Sequence, residues 1–251
     1  MNYKKSIWAI CILASTSPIT HLQAADNIDQ LREQGVVLIR SGQVEQGLEQ
    51  LRTLLNQQPQ NQKLIADYIV SAQAHQKLTL ADLAYLKNIQ VQDFPNYAWL
   101  SVVKGQRDLM QFQSAAKWAD IFYQQSQQQE LLVWDGVLSA EAGQSVQTKQ
   151  KLAQVNKGQL SPDYLAQMSY AYRVLNMPVE ALETTKYALS KQETNPDIQE
   201  QYVLALMVNS DYAEAEQYIQ TRRLNKSRPN LQHSIKLNEF SQRIQNAIQS
   251  Q

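Results

Sequence analysis

Cysteine is almost absent from this sequence of 251 residues: there is one, Cys11. A disulfide framework within the chain is therefore excluded, and stability must come from packing. Glycine and proline are also scarce, at seven each. That is few for the turns of an all-β protein of this length. Neither sign of charge is in excess, since 23 basic residues face 23 acidic ones. No global field is available to hold a nucleic-acid backbone, so nucleic acid is not an expected partner. Glutamine, by contrast, is plentiful at about one residue in seven. With 43% hydrophobic residues, this composition fits a soluble helical protein.

Lys4 and Lys5 precede the apolar run Ile7 to Ala14, and Pro18 and the stretch His21-Leu22-Gln23-Ala24-Ala25 follow. This three-part pattern is that of a secretory signal, too short for a permanent membrane span. Cleavage is expected after Ala24, giving a periplasmic chain. The loss of two lysines and of Cys11 leaves 21 basic against 23 acidic residues and no thiol. The later sequence has no apolar run long enough to cross a bilayer as a helix.

Self-similarity organises the remainder. Between Ile28 and Asn61, Gly35, Gly42, Gly47, Leu51, Leu54 and Pro59 fall at positions 8, 15, 20, 24, 27 and 32 of a tetratricopeptide repeat. Positions 8 and 20 are small where two antiparallel helices cross. The frame carries Gly47 to Ala81, Ala115, Thr148, Ala181 and Ala215, in steps of 34, 34, 33, 33 and 34. Leu31, Ile65, Trp99, Leu132 and Leu165 recur at position 4, with Gln199 as the exception. Leu51, Tyr85, Ala119, Leu152 and Ile219 recur at position 24, with Thr185 as the exception. Gly42, Gly143, Asn176 and the pair Ser210-Asp211 supply turns between paired helices, whereas Gln76 and Met110 depart from that pattern. The expected fold is all-α: a tetratricopeptide-repeat superhelix of about six helix pairs, right-handed, with essentially no strand from Ile28 to Asn225. Residues 1–24 are the signal, 25–227 the repeat domain and 228–251 a C-terminal helix or the start of a continuation.

Chemistry is sparse. Beyond the signal only His75 and His233 could offer nitrogen ligands, so neither a metal nor a cofactor is expected. No nucleophile elbow, phosphate-cradling loop or dinucleotide fingerprint occurs, and no residue takes a catalytic role. Acidic pairs such as Glu214 and Glu216 read as solvated helix faces. The glutamine-rich run Gln124 to Gln129 reads as a polar turn between repeats, and Trp99, Trp118 and Trp134 as packing residues.

Three strings carry a resemblance: Ile65-Ala66-Asp67-Tyr68, Ala140-Glu141-Ala142-Gly143 and Gln201-Tyr202-Val203-Leu204-Ala205-Leu206. Together with the signal and the repeats, they make the chain similar to the periplasmic repeat region of the poly-β-1,6-N-acetyl-D-glucosamine export porins, the PgaA family. The resemblance implies a non-catalytic scaffold in export of a biofilm exopolysaccharide. Its implied partners are a periplasmic polysaccharide deacetylase, the partly deacetylated polymer and the outer-membrane export machinery. The family continues into an outer-membrane β-barrel, which is not in this sequence. A general periplasmic adaptor that grips a peptide or protein remains the alternative.

In tetratricopeptide arrays, positions 2, 5, 9 and 12 of each first helix line the groove. In repeats five and six they bring Asp163, Tyr170, Arg173, Asp197 and Glu200 to one surface. The three carboxylates suit a cationic ligand, and Tyr170 a sugar face.

Overall fold

The computed structural model describes residues 18–224 and 231–249 of the chain. They form helices and no strand. Six successive pairs run along the sequence. The first is α1 (Pro18–Arg40) with α2 (Val44–Gln57), and the second begins with α3 (Gln62–Ala74). The others are α4 (Trp99–Asp108) with α5 (Phe112–Ser126), α6 (Gln129–Glu141) with α7 (Ser145–Ala153), α8 (Pro162–Val174) with α9 (Pro178–Lys191), and α10 (Pro196–Val208) with α11 (Tyr212–Leu224). A last helix, α12 (Leu231–Gln249), packs on α10 and α11, where the first helix of a further pair would stand. Residues 1–17 of the expected signal lie outside the described residues, and the expected cleavage point falls within α1.

Each first helix ends the same way. Gly42, Gln76, Met110, Gly143, Asn176 and Ser210 all have φ between 55° and 89°, at one register of the repeat. The next residue's N–H, in Gln43, Lys77, Gln111, Gln144, Met177 and Asp211, donates to the carbonyl five residues back at 2.8–2.9 Å. This is a Schellman closure repeated six times. Gln76 and Met110, which depart from the turn pattern in sequence, share its backbone. The closure is set by the packing of the pair and tolerates a side chain at a cost. Starts are marked as well: Pro162, Pro178 and Pro196 open their helices, where a missing N–H costs nothing.

The small residues act where the helices cross. A Cβ on Gly47 would lie 2.5 Å from the carbonyl oxygen of Gly35 and 2.5 Å from Ile39 Cγ1. Gly35 and Gly136 at position 8 make room for Leu51 and Leu152 at position 24 of the same pairs. Ala115, Thr148, Ala181 and Ala215 are fully buried at the crossing position. The polar exceptions are buried with partners. Gln199 donates to the carbonyl of Glu193 at 2.7 Å, and Thr185 lies 2.5 Å from Ser169. In the third pair Phe122 stacks on Trp99 with centroids 5.0 Å apart and meets Trp118 at 5.2 Å.

The second pair differs from the expectation. Its second member is a 3₁₀ segment, Ala81–Asn88, and Ala81 is exposed although the frame puts it at a crossing. Asp82 is buried in its stead. One carboxylate oxygen accepts the Tyr68 hydroxyl at 2.7 Å, and the other accepts the Thr79 N–H at 2.8 Å and the Thr79 hydroxyl at 2.7 Å. These three bonds turn the segment by one residue and satisfy the buried charge. In α12, Phe240 and Ile244 are buried as an amphipathic helix requires, whereas Ile248 is half exposed. The side chains of Ile235 and Leu237 lie outside the described residues.

Candidate functional site

Polar side chains tie each first helix to the next along one face. Arg32 on α1 pairs with Asp67 on α3, and the Tyr97 hydroxyl donates to Asp67 at 2.6 Å. Gln73 donates to Asp108 at 3.2 Å. Arg107 on α4 grips Glu141 on α6 through Nε at 2.9 Å and Nη2 at 2.6 Å, and Tyr170 on α8 donates to Glu141 at 3.0 Å. The Arg107 guanidinium also stands 5.5 Å from the centre of the Trp134 ring. Arg173 bonds Gln201 on α10, and Glu200 receives Lys236 from α12 at 2.8 Å. The ladder thus runs from the first pair to the last helix.

Electrostatics within the ladder follow burial. The hydrogen bond to Glu141 holds the Arg107 guanidinium above its usual value despite partial burial. Burial raises the Tyr170 hydroxyl, and its bond to Glu141 raises it further. Burial pulls the Arg173 guanidinium down, with Tyr170 and Glu200 opposing that shift.

The five groove residues are grouped in two sets. Asp163, Asp197 and Glu200 line one cavity of about 280 Å³, together with Ala166, Gln167, Gln201 and Lys236. Asp163 and Asp197 are exposed there, and Asp163 accepts the Asn195 side-chain amide at 3.0 Å. Asn195 in turn caps α10 by accepting the Asp197 N–H at 3.0 Å. Tyr170 and Arg173 belong to the ladder beside the cavity. The Arg173 guanidinium stands 5.6 Å from the centre of the Tyr170 ring and covers a face the sequence offered to a sugar. Helical register gives each residue its face but not its neighbour's reach, and Glu141 draws the Tyr170 hydroxyl away.

Lys236, Arg107 and Glu141 are not among the site residues expected from the sequence. Their signal is opposite charge about one repeat apart: 34 residues from Arg107 to Glu141, and 36 from Glu200 to Lys236. Among the described residues no group of three or more His, Cys, Asp or Glu side chains could hold a metal ion, and no helix is long and apolar enough to cross a membrane.

Solved structures place this geometry. A tetratricopeptide repeat protein from Parabacteroides merdae superposes with a TM-score of 0.66, at 14% identity over 88% of this chain and 87% of its own. This chain is a tetratricopeptide-repeat solenoid. A thermophilic tetratricopeptide protein of Thermus thermophilus matches with a TM-score of 0.51 at 17% identity, over 72% of this chain and 99% of its own. A structure of the APC/C hetero-tetramer Cut9–Hcn1 matches with a TM-score of 0.54 at 13% identity, over 90% of this chain and 46% of that one. Identities this low establish the solenoid and not a ligand. No protein-family profile matches the sequence, and no curated protein matches it.

Proposed function

We propose that this chain is a non-catalytic binding scaffold that takes up a positively charged ligand at the end of its first-helix row. The tetratricopeptide solenoid supports a general interaction domain, because stacked helix pairs present a long side-chain surface built on a rigid backbone. The observation that carries the reading is the cavity between α8, α10 and α12. Three carboxylates, Asp163, Asp197 and Glu200, line it with a single lysine.

Within this proposal, the resemblance of the three sequence strings suggests the ligand. Partly deacetylated poly-N-acetylglucosamine carries free amines that are ammonium groups at neutral pH, while its acetylated units are neutral. A cavity with excess negative charge favours the deacetylated units. The scaffold would then act in the periplasm beside a polysaccharide deacetylase and pass the polymer towards the outer-membrane export machinery. The second reading is an adaptor for a basic protein segment, favoured by the same charge.

Calorimetric titration of partly deacetylated and fully acetylated oligosaccharides tests both. The expected result is tighter binding of the deacetylated oligomer, weakened by salt and lost in the triple variant Asp163→Asn, Asp197→Asn, Glu200→Gln. Equal affinity for the two sugars removes the polymer reading. A lysine-rich peptide that then binds wild type and not the triple variant establishes the adaptor.

A further inference from the structure

The last helix reaches the acidic cavity from outside the repeats. α12 seats itself on the sixth pair through Phe240 and Ile244, both buried, and through Ser241, whose hydroxyl lies 2.9 and 2.8 Å from the two carboxylate oxygens of Glu216. One turn earlier, Lys236 extends to Glu200 and joins the lining shared with Asp163 and Asp197. The two partners are unequally covered: the Glu200 side chain is 17% exposed and the Lys236 side chain 53%. The carboxylate belongs to the cavity wall, whereas the ammonium lies on its solvent side at the end of a flexible stem.

We propose that Lys236 is an internal competitor for the cavity, its ammonium standing where the amine of an incoming ligand binds. This inference rests on the cavity being a cation site. The geometry allows exchange without unseating α12, because Phe240, Ile244 and Ser241 anchor the helix apart from Lys236. A ligand amine on Glu200 releases the Lys236 side chain to water, so one cation replaces another and no buried charge is left unpaired. An ion pair with a half-exposed lysine is weak and screened. Lys236 therefore raises the ligand concentration needed for binding and does not close the site. It also selects for ligands with several amines, which can engage Asp163 and Asp197 while displacing the lysine.

Calorimetric titration of the full chain with a fully deacetylated glucosamine oligomer at low salt tests this. Lys236→Met, which keeps the stem and removes the charge, is expected to bind about two- to fivefold tighter than wild type. Lys236→Arg is expected to match wild type, and the gain in Lys236→Met to shrink as salt rises. Lys236→Met binding with unchanged or weaker affinity overturns the competitor. If Asp197→Asn and Glu200→Gln still weaken binding in that case, the cavity reading stands without it. Indifference to the acidic substitutions, or no binding by any variant, overturns both. Matching helical circular dichroism spectra and melting temperatures for Lys236→Met and wild type exclude an unseated α12 as the cause.

Discussion

Ser169 and Thr185 stand with their hydroxyl oxygens 2.5 Å apart inside the fifth helix pair, and both lie within reach of the Ala181 carbonyl, at 2.9 and 2.8 Å. Both residues are fully buried. Where the first and fourth pairs set glycine against leucine at these two positions, the fifth sets hydroxyl against hydroxyl. Thr185→Val or Ser169→Ala alone leaves one hydroxyl with fewer partners and is expected to cost about 1 kcal/mol. The double variant removes the polar site as a unit and is expected to cost less than the two singles together. Urea unfolding of the four chains measures the coupling, and strict additivity overturns it.

Met110 carries a left-handed backbone, with φ of 60°, and its side chain is 70% exposed. It sacrifices little burial when truncated, while its conformation is one that L-residues resist. Met110→Gly is therefore expected to stabilise the chain by about 0.5–1 kcal/mol, the relief of strain exceeding the added chain entropy. Gln76→Gly, with φ of 56°, should do the same. For a chain of this size each gain corresponds to a rise of about 1–4 °C in melting temperature. A fall in melting temperature for both would show that the Schellman closures of the second and third pairs are unstrained.

The helix pairs were legible because a crossing demands a small residue at a fixed interval, as at Gly47, Ala115 and Ala181, and an interval survives in a linear sequence. The 3₁₀ segment was not, because its cause is three side-chain bonds to Asp82 from Tyr68 and Thr79, which no spacing rule contains. The same contrast holds at the cavity. Asp163, Asp197 and Glu200 share a face by register alone, with Asp163 and Asp197 exposed and Glu200 largely covered. Lys236 meets Glu200 only because α12 takes the place of a further first helix. The ladder pairs join different register positions of neighbouring repeats, so a comparison of like positions passes over them.

Ala81 and Ala181 occupy one position of the repeat and two different environments. Ala181 is fully buried at a helix crossing, whereas Ala81 is exposed on the 3₁₀ segment. Ala181→Leu is expected to force the fifth pair apart at a cost of about 1–3 kcal/mol. Ala81→Leu should stay within about 0.5 kcal/mol of wild type. Gly47→Ala is expected to behave like Ala181→Leu, because the added methyl meets a backbone oxygen 2.5 Å away and not the end of a flexible side chain. Urea midpoints for the three chains separate the cases. Equal losses at Ala81 and Ala181 would mean that the second pair packs as the others do.

Asp135 on α6 is a buried carboxylate with its counterion on the next helix. Lys151 on α7 stands 2.7 Å from Asp135 and also bonds Asp120 on α5, so one cation serves two acids. Burial raises the Asp135 carboxyl above its ordinary value by more than Lys151 lowers it, and the Asp120 charge adds to the rise. A carboxyl whose value is higher in the folded chain binds its proton more tightly there, so protonation favours folding. Ionised Asp135 thus carries a penalty at neutral pH, which fades as pH falls through its folded value and is gone below the unfolded value of 3.8. Asp135→Asn, a neutral mimic, is expected to match or exceed wild-type stability at pH 7, with the difference closing as the pH approaches 4. Lys151→Met has the opposite sign: it leaves two carboxylates without their cation and is expected to cost about 2–3 kcal/mol at pH 7, less than a fully enclosed pair because the lysine is a quarter exposed. That loss should shrink on acidification, since the buried Asp135 carboxyl, already raised by burial, then takes up a proton. Urea unfolding of the three chains at pH 7, 5.5 and 4 checks both slopes. A gap between Asp135→Asn and wild type that widens towards acid would show that Lys151 overcompensates the burial of Asp135.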